Sequence, residues 1–180
     1  RSLCDWSSDV CSSDLCKLEV LLCKKIGHPG QKEYAIGAVS LNDSYLINHE
    51  NVASEYILSE TKEVRRKLEE MKHLFGVADS DSIYKKQVII VDDGMATGRT
   101  MMAAVRLMRK RNPEKIILAL PVASSSSINL IRSEVDELIV LYTPDWFTGV
   151  GAFYEDFAIV TNEEVINILK KTIKIGRAHV

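Results

Sequence analysis

One fifteen-residue stretch, Val88-Ile89-Ile90-Val91-Asp92-Asp93-Gly94-Met95-Ala96-Thr97-Gly98-Arg99-Thr100-Met101-Met102, restricts this chain more than any other. The run Val88–Val91 reads as a strand buried on both faces, of the kind found in parallel sheets. It ends abruptly in two carboxylates. Gly94 and Gly98 then bracket a short loop, and Thr97 or Gly98 can cap the helix that begins at Met101-Met102-Ala103-Ala104-Val105. A strand, a glycine-bearing loop and a helix N-terminus form an anion site, because unpaired backbone N–H groups converge where the helix dipole is positive. The Thr97 and Thr100 hydroxyls can add donors.

Asp92 and Asp93 cannot bind an anion, but they can accept hydrogen bonds from the vicinal hydroxyls of a ribose or hold Mg²⁺ through water. A sugar phosphate satisfies both halves of the stretch. The plain alternative is a buried strand, an acidic turn and a capped helix with no ligand. A P-loop is excluded because no Gly-Lys-Ser/Thr follows, and a dinucleotide fingerprint because its three-glycine spacing is absent. The order of hydrophobic strand, two acids, short loop, Thr-Gly and then Thr resembles the phosphoribosyl pyrophosphate motif of type I phosphoribosyltransferases. The resemblance implies that Asp92 and Asp93 hold the ribose hydroxyls. It also implies that Gly94, Met95, Ala96, Thr97, Gly98, Arg99 and Thr100 wrap the 5′-phosphate, and that Mg²⁺ reaches Asp92 and Asp93 through ribose or water. No residue is assigned a catalytic role.

At 180 residues, 46% of them hydrophobic and 27% charged, the chain has enough length for one globular core. A net charge of −2 gives no electrostatic case for nucleic acid, and no apolar run approaches membrane-spanning length. With no signal-peptide pattern, a cytoplasmic location is expected. Cys4, Cys11, Cys16 and Cys23 lack metal-ligand spacing, and Cys23 reads as a small core residue of a strand. The ends have a peculiarity. Asp9–Asp14 can be encoded by GAC GTG TGC TCT TCC GAT, whose reverse complement translates as Ile175–Val180. Both ends can therefore be one sequencing-adapter element read from opposite strands. Segments 1–15 and 175–180 are on this reading non-native, and 16–174 is a partial phosphoribosyltransferase domain.

Along the chain, Leu18–Cys23 reads as a short buried strand and Lys24–Gly30 as a loop. Glu33–Val39 and Ser44–Ile47 flank the turn dipeptide Asn42-Asp43 and read as an antiparallel hairpin. This segment is similar to a mostly bacterial branch of the family whose acceptor is undetermined. Residues 51–75 are helical by pattern, with Val52, Tyr56, Val64, Leu68, Met71 and Phe75 on one face and Gly76 as the stop. The helix after the main motif runs to about Arg111, where Asn112-Pro113 ends it. Lys115–Leu120 and Glu137–Leu141 are further strands, the serine run from Ser124 caps a helix ending near Ser133, and Thr161–Glu164 is a capping box. The fold class expected is α/β: a type I phosphoribosyltransferase-like doubly wound parallel sheet with an antiparallel hairpin.

Two further segments admit two readings each. Arg65 and Arg66 belong either to a mobile basic cover over pyrophosphate, as the resemblance implies, or to a solvated helix face beside Glu69 and Glu70. Trp146 and Phe147 either stack on an acceptor base or pack in the core.

The reaction implied is transfer of a phosphoribosyl group to a nucleobase-like heterocycle with release of pyrophosphate, the enzyme being a pentosyl-type glycosyltransferase of nucleotide metabolism. A homodimer is the implied assembly. Ala96 stands where 6-oxopurine-using relatives carry an aspartate, so proton exchange with the purine ring by that route is excluded, while adenine-type and some pyrimidine-type acceptors stay open. The family also places a strand and a Pro-Arg-Gly-Gly-type pyrophosphate loop before the strand read at Leu18, and nothing of that type precedes it. In the order 2-1-3-4-5 the missing strand would lie between Leu18–Cys23 and Val88–Val91, at the sheet's centre. The chain as written is therefore expected to fold poorly and bind pyrophosphate weakly. Two other classes remain: a non-catalytic regulatory domain that senses phosphoribosyl pyrophosphate or nucleotides, and a phosphate-ester hydrolase using Asp92.

Overall fold

The structure, a computed structural model, describes residues 18, 20–47, 51–76 and 83–177. The order is β1 (Cys23–His28), β2 (Gln31–Ser40), β3 (Ser44–Leu46), α1 (Ser54–Phe75), β4 (Gln87–Val91), α2 (Arg99–Arg109), β5 (Lys115–Val122), α3 (Ser125–Ile131), β6 (Glu137–Tyr142), a 3₁₀ turn (Val150–Phe153) and α4 (Asn162–Arg177). The strands form two sheets, β1-β2-β3 antiparallel and β4-β5-β6 parallel. The proposed non-native segment 1–15 lies outside the described residues.

The parallel sheet follows from short apolar runs alternating with helices. Ile116, Leu118, Leu120 and Val122 of β5 are buried and alternate with half-buried neighbours, the period-2 signature of a pleated strand. Helices α2 and α3 cover that buried side, where Met101, Met102, Val105, Met108 and Ile131 meet Ile90, Ile116, Leu118 and Leu120. The other side of α2 receives the antiparallel sheet through Ala38, Ala103 and Leu107. Being covered by both sheets, α2 buries seven of its eleven residues, which accounts for its nearly continuous apolar sequence.

α1 behaves as its period requires. Val64 and Leu68 are buried against Ile26, Ile36 and Val39, with Val52, Tyr56, Met71 and Phe75 alongside, and Gly76 closes the helix. α1 packs on β1, β2 and α4. At the start of α4 the capping box is formed, with the Thr161 amide donating to Glu164 Oε2 at 2.7 Å and the Glu164 amide to Thr161 Oγ1 at 3.3 Å.

A polar clasp ties the hairpin to the parallel half. Arg106 donates through two guanidinium nitrogens to the Glu134 carboxylate, and its third reaches Tyr45 Oη of β3 at 2.7 Å. Nearby, Arg109 and the Ile116 amide both donate to Asp136 Oδ2, at 2.8 and 2.7 Å. The Arg106 hydrogen bond holds the Glu134 carboxyl below its ordinary range, and the Ile116 amide and Arg109 do the same for Asp136.

Two local expectations are corrected. The first strand is Cys23–His28, not Leu18–Cys23, and Lys24–His28 is part of the antiparallel ladder rather than a loop; only Pro29-Gly30 turns. Pairing with β2 satisfies the backbone of these residues, and that non-periodic source of stability leaves no hydrophobic signature. Val88–Val91 is not buried on both faces. Ile90 is buried, but Ile89 is 57% and Val91 71% exposed, because among the described residues α2 and α3 cover one face of the parallel sheet and the face carrying Ile89 and Val91 is open. The exposed side continues across β6 at Leu141, which is 81% exposed. Along the free edge of β4 runs a cleft of about 360 Å³, bounded by Val20, Leu21 and Cys23 on one side and Ile90, Val91 and Asp92 on the other. Cys23 is half-buried there, and burial pushes its thiol up to about 11, so it stays protonated and inert.

Candidate functional site

β4 delivers Asp92 and Asp93 to the carboxyl edge of the parallel sheet, where ligands of open α/β sheets bind. The Asp93 amide donates to Asp92 Oδ1 at 3.0 Å, which aligns one carboxylate along the turn. Desolvation raises the Asp92 carboxyl above the ordinary aspartate range and the neighbouring Asp93 charge adds to this, while the amide bond opposes it. Beyond the acids the chain folds back onto β5: the Met95 amide donates to the Val122 carbonyl at 3.0 Å, and Met95 bridges Ala123 in parallel fashion. Gly94 sits in this crossing. A Cβ there would lie 2.7 Å from Val150 Cγ1 and 2.9 Å from the Val122 carbonyl oxygen, so only glycine passes.

Ala96 and Thr97 are exposed at the crest of the loop, and Gly98 is the N-cap of α2 with φ +71°. A Cβ on Gly98 would meet Ser127 Cβ at 3.1 Å, so the position needs glycine for both its backbone angle and its space. Among the described residues no side chain caps the first amides of α2. Thr100 stands exposed on the first turn, and Arg99 lies over the Tyr34 ring of β2 at 4.6 Å. The loop Gly94–Thr100 thus presents the uncapped, positive end of α2 beside two carboxylates.

The segment after β6 reaches the same edge. Tyr154 Oη donates to the Asp93 carbonyl at 2.6 Å, and Val150 covers Gly94. Phe147 is half-buried against Phe153, ring centroids 5.5 Å apart, and Phe153 stands edge-on to Tyr142 at 5.8 Å. Trp146 is 88% exposed and projects from this cluster. Arg66 is held on the surface of α1 by Glu63 and Glu70, whereas the buried Arg65 Nε has no hydrogen-bond partner among the described residues. The structure brings Asp92, Asp93, the loop and the aromatic segment to one edge; among the described residues α1 packs chiefly on β1, β2 and α4. Tyr154 and the serines at the start of α3 escaped the sequence reading, since neither a tyrosine after a glycine-rich segment nor a capping serine announces a bond to a distant loop. Among the described residues no group of three or more His, Cys, Asp or Glu could cage a metal.

The profile of the phosphoribosyl transferase domain matches residues 37–158, which includes the acids, the loop and the aromatic segment. The chain belongs to the phosphoribosyl transferase domain family. Two Mycobacterium tuberculosis proteins, each named "Putative phosphoribosyl transferase" and from strains CDC 1551 / Oshkosh and H37Rv, are 28% identical over 172 residues. The match covers 91% of this chain but only 38% of either relative's length. The crystal structure of TT1426 from Thermus thermophilus superposes with a TM-score of 0.75 at 33% identity, covering 86% of this chain and 76% of that one. A phosphoribosyl transferase domain thus accounts for the mixed architecture of a parallel sheet with an antiparallel hairpin. No described helix is long and apolar enough to cross a membrane.

Proposed function

We propose that this domain binds phosphoribosyl pyrophosphate and transfers its phosphoribosyl group to a heterocyclic acceptor, releasing pyrophosphate. The observation that carries the reading is the joining, within one loop, of the Asp92-Asp93 pair at the end of β4 to the uncapped N-terminus of α2. The carboxylates accept the two ribose hydroxyls, and the amides of Ala96 to Thr100, with the Thr97 and Thr100 hydroxyls, receive the 5′-phosphate. Holding the sugar at both ends orients its anomeric carbon, and the transition state, with oxocarbenium character, is reached mainly through positioning and charge stabilisation. Asp92 and Asp93, two carboxylates at one strand end, would hold a Mg²⁺ ion through ribose or water, since an ion of this kind keeps few protein ligands. When bound, it would neutralise charge on the leaving pyrophosphate.

The acceptor enters from the side of Trp146 and Phe147, with Tyr154 linking that segment to the backbone of Asp93. Ala96 has no proton to exchange, so the loop leaves the acceptor's protonation to other groups. A cytoplasmic, homodimeric enzyme of nucleotide metabolism is the setting this reading implies. Incubation with labelled phosphoribosyl pyrophosphate, Mg²⁺ and a panel of bases tests it. Base-dependent pyrophosphate release is the expected result. Binding without turnover would replace transfer by ligand sensing, and phosphate release without a base would replace it by ester hydrolysis.

A further inference from the structure

The amides of Ala96 and Thr97 can serve an anion only if they face outward, and nothing within the loop itself ensures this. A trans peptide group is planar, so its carbonyl and its N–H point in opposite directions. Whatever holds the Met95 and Ala96 carbonyls therefore decides where the Ala96 and Thr97 amides point. Both carbonyls are held from beneath by α3. Ser124 Oγ donates to the Ala96 carbonyl at 2.6 Å, and the Ser124 amide donates to the Met95 carbonyl at 3.1 Å. Ser127 Oγ lies 3.1 Å from the Met95 carbonyl and 2.9 Å from that of Ser124, sharing its single proton between them. Ser127 is 1% and Ser124 7% exposed, while Ala96 and Thr97 are exposed, so the carbonyls point into the protein and the amides away from it.

We infer that Ser124 and Ser127 are positioning residues of the 5′-phosphate site: their buried hydroxyls set the polarity of the Met95–Ala96–Thr97 backbone and so aim its N–H groups at the ligand. Ser124 has a second duty, accepting the Ser127 amide at 3.1 Å as the N-cap of α3, which the sequence alone accounts for. Ser127 has no such duty in the cap through its side chain. Its hydroxyl does meet the cap residue, 2.9 Å from the Ser124 carbonyl and 3.0 Å from Ser124 Oγ, but the cap bond itself uses the Ser127 amide, which an alanine keeps, and Ser127 Cβ packs 3.1 Å from where a Gly98 Cβ would stand. The inference rests on the phosphoribosyl reading of the loop.

The full chain, with Ser124→Ala, Ser127→Ala, Ser124→Thr and the exposed Ser125→Ala, tests the inference through two measurements. Equilibrium binding of ribose 5-phosphate, well below the melting temperature, should weaken by about tenfold in Ser124→Ala and severalfold in Ser127→Ala, as expected for one lost hydrogen bond to a buried acceptor. Ser124→Thr should recover most of the affinity, and Ser125→Ala should keep it. In amide NMR, inorganic phosphate should shift the Ala96 and Thr97 signals of the unaltered chain and shift them less in Ser127→Ala, whose α3 cap is intact. A merely structural role would lower the melting temperature while leaving the affinity and these shifts unchanged, and that result overturns the inference while the phosphoribosyl reading survives. If the unaltered chain binds neither probe, the phosphoribosyl reading falls and this inference with it.

Discussion

The two halves of the candidate site are built in opposite ways. The phosphate loop is a tight crossing: Gly94 lies between Val122 and Val150, Gly98 lies against Ser127, and the carbonyls of Met95 and Ala96 are held from below. The acceptor-side segment Thr143–Tyr154 follows β6 outside the sheet, holds Phe147 and Phe153 in ring contacts, leaves Trp146 in solvent and meets the phosphate side through the Val150 side chain over Gly94 and the Tyr154 hydroxyl on the Asp93 carbonyl. A phosphate has one shape and one charge, so a rigid donor array serves it. Acceptor rings differ, and a segment held by few hydrogen bonds can accommodate them with little cost to the core.

The contrast can be broken most severely at the acids. Asp92→Asn and Asp93→Asn should each weaken phosphoribosyl pyrophosphate binding by about 10–100-fold through loss of a charged acceptor, measured by calorimetry; unchanged affinity in both would remove the ribose assignment. Because Asp92 is raised, ribose binding should begin to fail on acidification while still above the ordinary aspartate value of 3.8, a profile that Asp92→Asn should flatten. Gly98→Ala should cost about 1–3 kcal/mol from backbone strain at positive φ, with the contact to Ser127 adding to it, and should lower phosphate affinity in the same experiment. Glu134→Gln should cost about 1–2 kcal/mol by weakening the Arg106 clasp without altering loop chemistry, which a thermal melt beside a binding titration separates. The folded Glu134 and Asp136 carboxyls sit below their ordinary values of 4.5 and 3.8, so their contribution to stability is present above those values and is lost as pH falls through the depressed ones. Smallest of all, Trp146→Ala should change stability by less than about 0.5 kcal/mol, since the ring is exposed; a raised acceptor KM with unchanged phosphate affinity would assign the ring to acceptor stacking.

Much of the framework was legible beforehand. The apolar period of α1, the capping box of α4, the serine cap of α3 and the Asn42-Asp43 hairpin all stand where local chemistry placed them, because each draws its stability from residues three or four positions apart or from a turn. Burial of β4 was overestimated for a definite reason. Four β-branched residues specify a strand, but whether its faces are covered depends on which elements lie beside it, and here one edge and one face are open. Likewise β1 is made by its ladder with β2, which composition does not announce.

By itself the sequence determined the order of elements, the family, and the loop in which two carboxylates meet a helix N-terminus, since these depend on side-chain type at short spacing. Only the tertiary structure decided which groups hold that loop. Ser124, Ser127, Val150 and Tyr154 come to it from further along the chain, the hydrogen-bonded pairs being 28 to 61 residues apart. Bonds across such separations follow from the packing of β5, α3 and the segment after β6, not from any local pattern.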